Sequence, residues 1–282
     1  MLICFLRYLR PWPALQWGVA LFLAVSAPYS AEAAGELMVV PTLVELDNRE
    51  RSQSLRIING STETQTYRIS LGNDRMNENG EITESLEATG EDKFASEMLR
   101  YSPRQVTLKP GEVQMVRISF RRSANLAKGE YRSRLYFRVL PKSQPIASKS
   151  AKSAENSEFS VNISTQFGLS VPVFVHQGKL TATGEITNLE LTEINEGEPG
   201  ISLQIERFGD RSLRGDLVVK ADGVVVAQAN NVAVYPSVPY RRVQLALPTD
   251  ESLKGKNVVV EYHKTKEDGG SLIASSETVF HE

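Results

Sequence analysis

Gln105-Val106-Thr107-Leu108-Lys109-Pro110-Gly111-Glu112-Val113-Gln114-Met115-Val116-Arg117-Ile118-Ser119-Phe120 carries the clearest conformational signal in the chain. Both halves alternate apolar and polar residues with period two, the pattern of a strand buried on one face. Lys109-Pro110-Gly111-Glu112 between them is a turn, because proline presets φ and glycine accepts a conformation that side chains resist. The same alternation extends in both directions. Leu37–Val40, Ser54–Ile58 and Tyr67–Leu71 precede it, the last two separated by Asn59-Gly60, and Tyr131–Val139 comes after it. Farther on, Asp222-Gly223 joins Leu217–Ala221 to Val224–Ala227. That is a hairpin signal, since a type I′ turn wants φ > 0 at both central positions. Gly200–Ile205 and Val232–Pro236 also read as strands. No segment of helical length shows a 3.6-residue period. Many short strands broken by Gly, Pro and Asn predict an all-β protein with two immunoglobulin-like β-sandwich domains.

The N-terminus bears on the compartment. Arg7 and Arg10 precede an apolar run from Ala14 to Ala27, Pro28 ends it, and Ala31-Glu32-Ala33 is then an A-x-A cleavage site. This is the order of a secretory signal peptide, and the run is shorter than the roughly 20 residues of a spanning helix. Residues 1–33 are therefore expected to be a cleaved signal. The product is expected to be periplasmic, with no membrane segment left. The remaining chain suits two domains of roughly 100–150 residues each. They are placed at 34–175 and 176–282, because His176-Gln177-Gly178 interrupts the alternation. Pro141 to Glu158, rich in serine and lysine and without an aromatic residue, reads as a solvated loop. The one cysteine, Cys4, lies inside the signal, so the exported chain has no disulfide. A net charge of −2 argues against a nucleic-acid partner, which would demand a basic balance.

Two stretches resemble one family. Tyr101 to Ile118, with Pro103, Leu108, Pro110-Gly111 and Val116-Arg117, is similar to a signature of PapD-like periplasmic pilus-assembly chaperones. Gly129-Glu130-Tyr131-Arg132-Ser133-Arg134-Leu135-Tyr136-Phe137-Arg138-Val139-Leu140-Pro141 resembles the next strand in that family, and a polar loop and a further alternating strand succeed it in the same order. The resemblance covers most of 36–175. Over 176–282 it is only one of length and β pattern. It implies a chaperone that binds secreted β-rich pilus or fibre subunits, caps them by donating its last strand, and passes them to an outer-membrane usher without any cofactor. Strand donation of this kind is β-augmentation, in which main-chain hydrogen bonds give affinity and alternate side chains enter pockets.

The resemblance assigns the donor role to Phe159-Ser160-Val161-Asn162-Ile163-Ser164-Thr165-Gln166-Phe167. Phe159, Val161, Ile163 and Phe167 fall on one face of a strand. Each such side chain is worth about 1.5–3 kcal/mol when fully buried. The other reading is that this face belongs to the sandwich's own core, and alternation alone does not separate the two. The family's basic pair, which anchors a subunit's terminal carboxylate, has no match here. Leu43 and Gly168 stand at those positions, and Pro172 replaces an inter-domain arginine. A substitute is offered by Arg134 and Arg138. They share one face of Tyr131–Val139 with Arg132 and Tyr136, where guanidinium groups could clamp a carboxylate. The competing reading of that face is a solvated outer surface.

Nothing in the chain reads as an enzyme. The histidines are His176, His263 and His281, and none has metal-ligand spacing. Arg75 to Gly80 only distantly matches a calcium loop, having arginine where the first ligand belongs. Glu81, Glu84 and Glu87 lie in a polar stretch, 74–98, expected to be a solvated loop. A second functional class fits the same fold: a two-domain structural adaptor, or a surface-assembly component that donates no strand.

Overall fold

The computed structural model describes residues 37–88, 90–123, 125–141, 168–194, 197–248 and 253–281. The first half contributes β1 (Leu37–Val40), β2 (Val44–Leu46), β3 (Ser52–Asn59), β4 (Gln65–Gly72), β5 (Asp74–Met76), β6 (Ile82–Glu84), β7 (Leu99–Ser102), β8 (Gln105–Leu108), β9 (Val113–Phe120), β10 (Gly129–Val139) and β11 (Gly168–Gln177). The second contributes β12 (Ala182–Ile194), β13 (Glu198–Gly209), β14 (Leu213–Ala221), β15 (Val224–Val234), β16 (Tyr240–Ala246), β17 (Asn257–Lys264) and β18 (Leu272–Val279).

These strands form two immunoglobulin-like sandwiches. In the first, the sheet β1-β3-β9-β7 faces β2-β11-β10-β4-β8, and in the second β12-β13-β16 faces β15-β14-β17-β18. The predicted turns are present. The amide of Glu112 donates to the carbonyl of Lys109 at 3.0 Å. Asp222 and Gly223 both have positive φ, 48° and 84°, as a type I′ hairpin demands. The alternation seen in sequence becomes burial: Leu55, Ile57, Val116, Ile118, Leu135 and Phe137 are sealed in the first core. One buried polar residue ties that core together. Asn59 accepts from the Tyr67 hydroxyl (2.9 Å) and donates to the carbonyls of Glu63 (2.7 Å) and Leu108 (3.0 Å). A buried amide left without such partners would cost about 1–3 kcal/mol.

The second core is not built from the second half alone. Met76 of β5 and Phe174 of β11 are buried in it, and Leu43 packs against it. Phe174 meets Tyr235 edge-on, ring centroids 5.8 Å apart. The two sandwiches therefore share apolar contacts.

The stretch 74–98 departs from its expectation as a solvated loop. Glu81, Glu84 and Glu87 are exposed, but Asp74, Met76, Asp92 and Ala95 are buried. Residues 74–88 and 90–98 form a strap, first as the β5–β6 hairpin and then as a run back along β10. Where β4 ends, Lys93–Ala95 takes its place beside β10. The Arg132 amide donates to Lys93 (2.8 Å), and the Ala95 amide donates to Arg132 (3.0 Å). Satisfying the backbone of β10 beyond Gly72 requires such a neighbour. The hairpin tip reaches the second sandwich: the Arg242 amide donates to the Glu78 carbonyl (2.6 Å), and the Tyr240 hydroxyl to the Glu78 carboxylate (2.6 Å).

Candidate functional site

The sheet β2-β11-β10-β4-β8 contains the strand that follows the expected donor segment in the chain. Phe159, Val161, Ile163 and Phe167 lie outside the described residues. Immediately after them in the chain, β11 pairs antiparallel with β10 along its whole length, from Gly168↔Arg138 to Gln177↔Gly129. On its other side β2 pairs with it in parallel, but only over Val173–Val175. From Gly168 to Pro172, β11 thus has β10 on one side and, among the described residues, no strand on the other. Such an edge offers unpaired backbone groups to another chain. Val171, Val173 and Val175 are buried in the first core, so the odd-numbered positions of β11 point inward.

The outward face of this sheet is arranged in cross-strand rows. Phe174 stands opposite Arg132; Pro172 opposite Arg134 and then Gly72; Ser170 opposite Tyr136 and then Ser70. The last row is Gly168, Arg138, Arg68 and Gln105. The strap closes the first rows. Arg132 is only 3% exposed, lies 4.3 Å over the Tyr235 ring, and pairs with Asp92 at 3.3 Å. Asp92 also takes Arg75 at 2.7 Å. Arg134 pairs with buried Asp74 and donates to the Ser170 hydroxyl at 3.1 Å. The expected solvated face is therefore covered over its first two rows, because the strap brings a carboxylate to each arginine.

Of the two residues offered as a carboxylate clamp, Arg134 is engaged internally. Arg138 is exposed, and among the described residues its guanidinium has no ion pair and lies 5.1 Å from the Tyr136 ring. Burial, followed by the Asp74 and Glu84 charges, raises the Tyr136 phenol above its ordinary pKa. Leu43, Gly168 and Pro172, where the resemblance expects basic residues, are respectively packed on the second core, opposite Arg138 and opposite Arg134.

At the other end of β10, Glu130 is a buried acceptor between the sandwiches. It receives the Ser212 amide (3.0 Å) and the Ser212 hydroxyl, and lies 3.3 Å from His176 Nε2. Burial works to raise its pKa, but the bonds from His176 and Ser212 outweigh this and hold the carboxyl below its ordinary value. Beside it opens a cavity of about 600 Å³, lined in part by Glu45, Phe174, Arg211, Arg214, Tyr235 and Asp268. Glu45 meets Arg211 (3.4 Å) and Arg214 (3.8 Å), and Arg214 meets Asp268 (3.1 Å). Among the described residues no three acids, histidines or cysteines are grouped to hold a metal. No helix among them is long and apolar enough to cross a membrane.

Sequence reasoning missed the strap and the Glu130–Ser212 contact. The one available signal for the strap is apolar Met76 and Phe94 set among acids.

No protein-family model and no curated protein matches the chain. Among solved structures it is similar to the YadV chaperone, at 12% identity and a TM-score of 0.48, over 86% of this chain and 100% of that one. It is also similar to a chain of the CsuC–CsuE chaperone–tip adhesion subunit complex of Acinetobacter baumannii (15%, 0.47, 87% and 99%). A third is the CupB2 chaperone of Pseudomonas aeruginosa (13%, 0.44, 86% and 100%).

Proposed function

We propose that the protein is a periplasmic chaperone that binds secreted pilus or fimbrial subunits and caps them by donating the strand 159–167, before handover to an outer-membrane usher. The reading includes removal of residues 1–33 and a change from first to second domain near residue 176. It needs no cofactor and no catalytic residue. The observation that carries it is the edge of β11 over Gly168–Pro172, along which no strand of the described residues pairs, directly after the donor segment. Phe159, Val161, Ile163 and Phe167 have the same parity as Val171, Val173 and Val175, whose side chains enter an immunoglobulin core. A strand continuing from that edge would present the same kind of side chain to a subunit's core. The motifs in Tyr101–Ile118 and Gly129–Pro141 support the family.

A structural adaptor is the second reading. It is favoured by Leu43, which occupies a basic anchor position and packs on the second core. Purification of the tagged protein from its native compartment, with mass spectrometry of stoichiometric companions, separates the two. A small β-rich subunit that is lost with Val161→Asp supports donation. A folded Val161→Asp variant that keeps the same companion supports the adaptor.

A further inference from the structure

The rows on the outer face of β10 end unequally. Arg132 has Asp92 and Arg134 has Asp74. Glu84 and the Tyr136 ring both border Gly72, the Glu84 Oε1 3.5 Å from where a methyl on that glycine would lie. All three acids come from the strap. The next row places Arg68 and Arg138 directly opposite one another on β4 and β10, both exposed. Like charges facing across two strands repel. Among the described residues neither has an acid within ion-pair distance, and the Arg138 guanidinium lies 5.1 Å from the Tyr136 ring. The flanking positions in the row add no charge: Gly168 has no side chain, and Gln105 is neutral. Arginines at paired positions of neighbouring strands suit planar, two-oxygen acceptors.

We infer that Arg68 and Arg138 receive an acidic side chain from an extended partner polypeptide, one that continues outward the arrangement the strap makes inward. The partner is a polypeptide because the rows are spaced as alternate residues of a strand, and the Arg132 and Arg134 rows each take their carboxylate, Asp92 and Asp74, from a neighbouring segment of chain. The site lies at the opposite end of β10 from Glu130 and the inter-sandwich cavity. It does not depend on strand donation.

The test is fluorescence anisotropy of the purified protein with a labelled, C-terminally amidated eight-residue peptide of alternating Glu and Val. Amidation removes the terminal carboxylate. Saturable binding is expected, weakened at least tenfold by Arg68→Gln and by Arg138→Gln, and unchanged by Arg117→Gln on the opposite sheet. The same peptide with Gln for Glu should bind at least tenfold more weakly. Melting temperatures of the variants within a few degrees of the parent confirm that lost binding is not lost folding. The inference is overturned if no binding occurs up to millimolar peptide, if the two arginine variants bind as the parent does, or if the Gln peptide binds equally. Displacement of the peptide by an equimolar amount of inorganic phosphate also overturns it, since the site would then take any small anion.

Discussion

The two ends of one strand face make opposite use of arginine. At the Arg132–Arg134 end the guanidinium groups are covered, and each has a carboxylate supplied from within the chain. At the Arg138 end the guanidinium is exposed, faces Arg68, and borders the edge of β11 that no described strand covers. The first arrangement fixes the molecule. A buried charge is tolerated only with a partner, and the strap that delivers Asp74 and Asp92 also carries Met76 into the second core. The second arrangement leaves charge, backbone edge and aromatic surface available to another chain.

Substitutions at the two ends should therefore differ in kind. Cutting a buried pair should do the most damage: Asp74→Ala should cost about 3–5 kcal/mol in denaturant unfolding, because Arg134 would be left without its carboxylate. Next comes the contact at the far end of the strand. Ser212→Ala should cost about 1.5–3 kcal/mol, since a hydroxyl donating to the buried Glu130 carboxylate is removed. That contact also has a pH signature. The folded pKa of Glu130 lies below its unfolded value, so its contribution is fully present above the unfolded pKa of about 4.3. It is lost as pH falls through the folded value. Glu130→Gln should accordingly flatten the acid limb of a stability–pH curve.

A smaller effect is expected at the hairpin tip. Gly80 has φ +81°, and a methyl there would come within 2.6 Å of the Arg241 guanidinium. Gly80→Ala should cost about 1–3 kcal/mol, from left-handed strain and displacement of that side chain. Least of all should change at the open end. Arg138→Ala should alter stability by no more than about 0.5 kcal/mol, and equilibrium unfolding would show it. A large loss there would mean that the open end is structural after all.

The sandwiches were legible in the sequence because burial on one face of a sheet imposes period two, and Lys109–Glu112 and Asp222-Gly223 have one economical conformation each. The alternation of Tyr131–Val139 also gave its two faces correctly, with Leu135 and Phe137 inside. What covers the outer face was not legible. Whether Arg132 meets water or Asp92 depends on a pairing across 40 residues, and no local pattern encodes it. The segment 74–98 looked solvated because its composition is acidic. Its acids divide between exposed ones, such as Glu81, and buried ones, such as Asp74, according to which arginine lies beneath.

Whether the β11 edge joins a partner's sheet can be read from hydrogen exchange of the protein alone and with its co-purified companion. If it does, the amides of Gly168 and Ser170, which face away from β10, gain protection on binding, together with amides in 159–167, whereas Leu169 and Val171, whose amides face β10, change little. Val173–Val175, already between β10 and β2, should change little. Unchanged exchange over 159–171, with new protection elsewhere on the molecule, would contradict strand pairing at that edge.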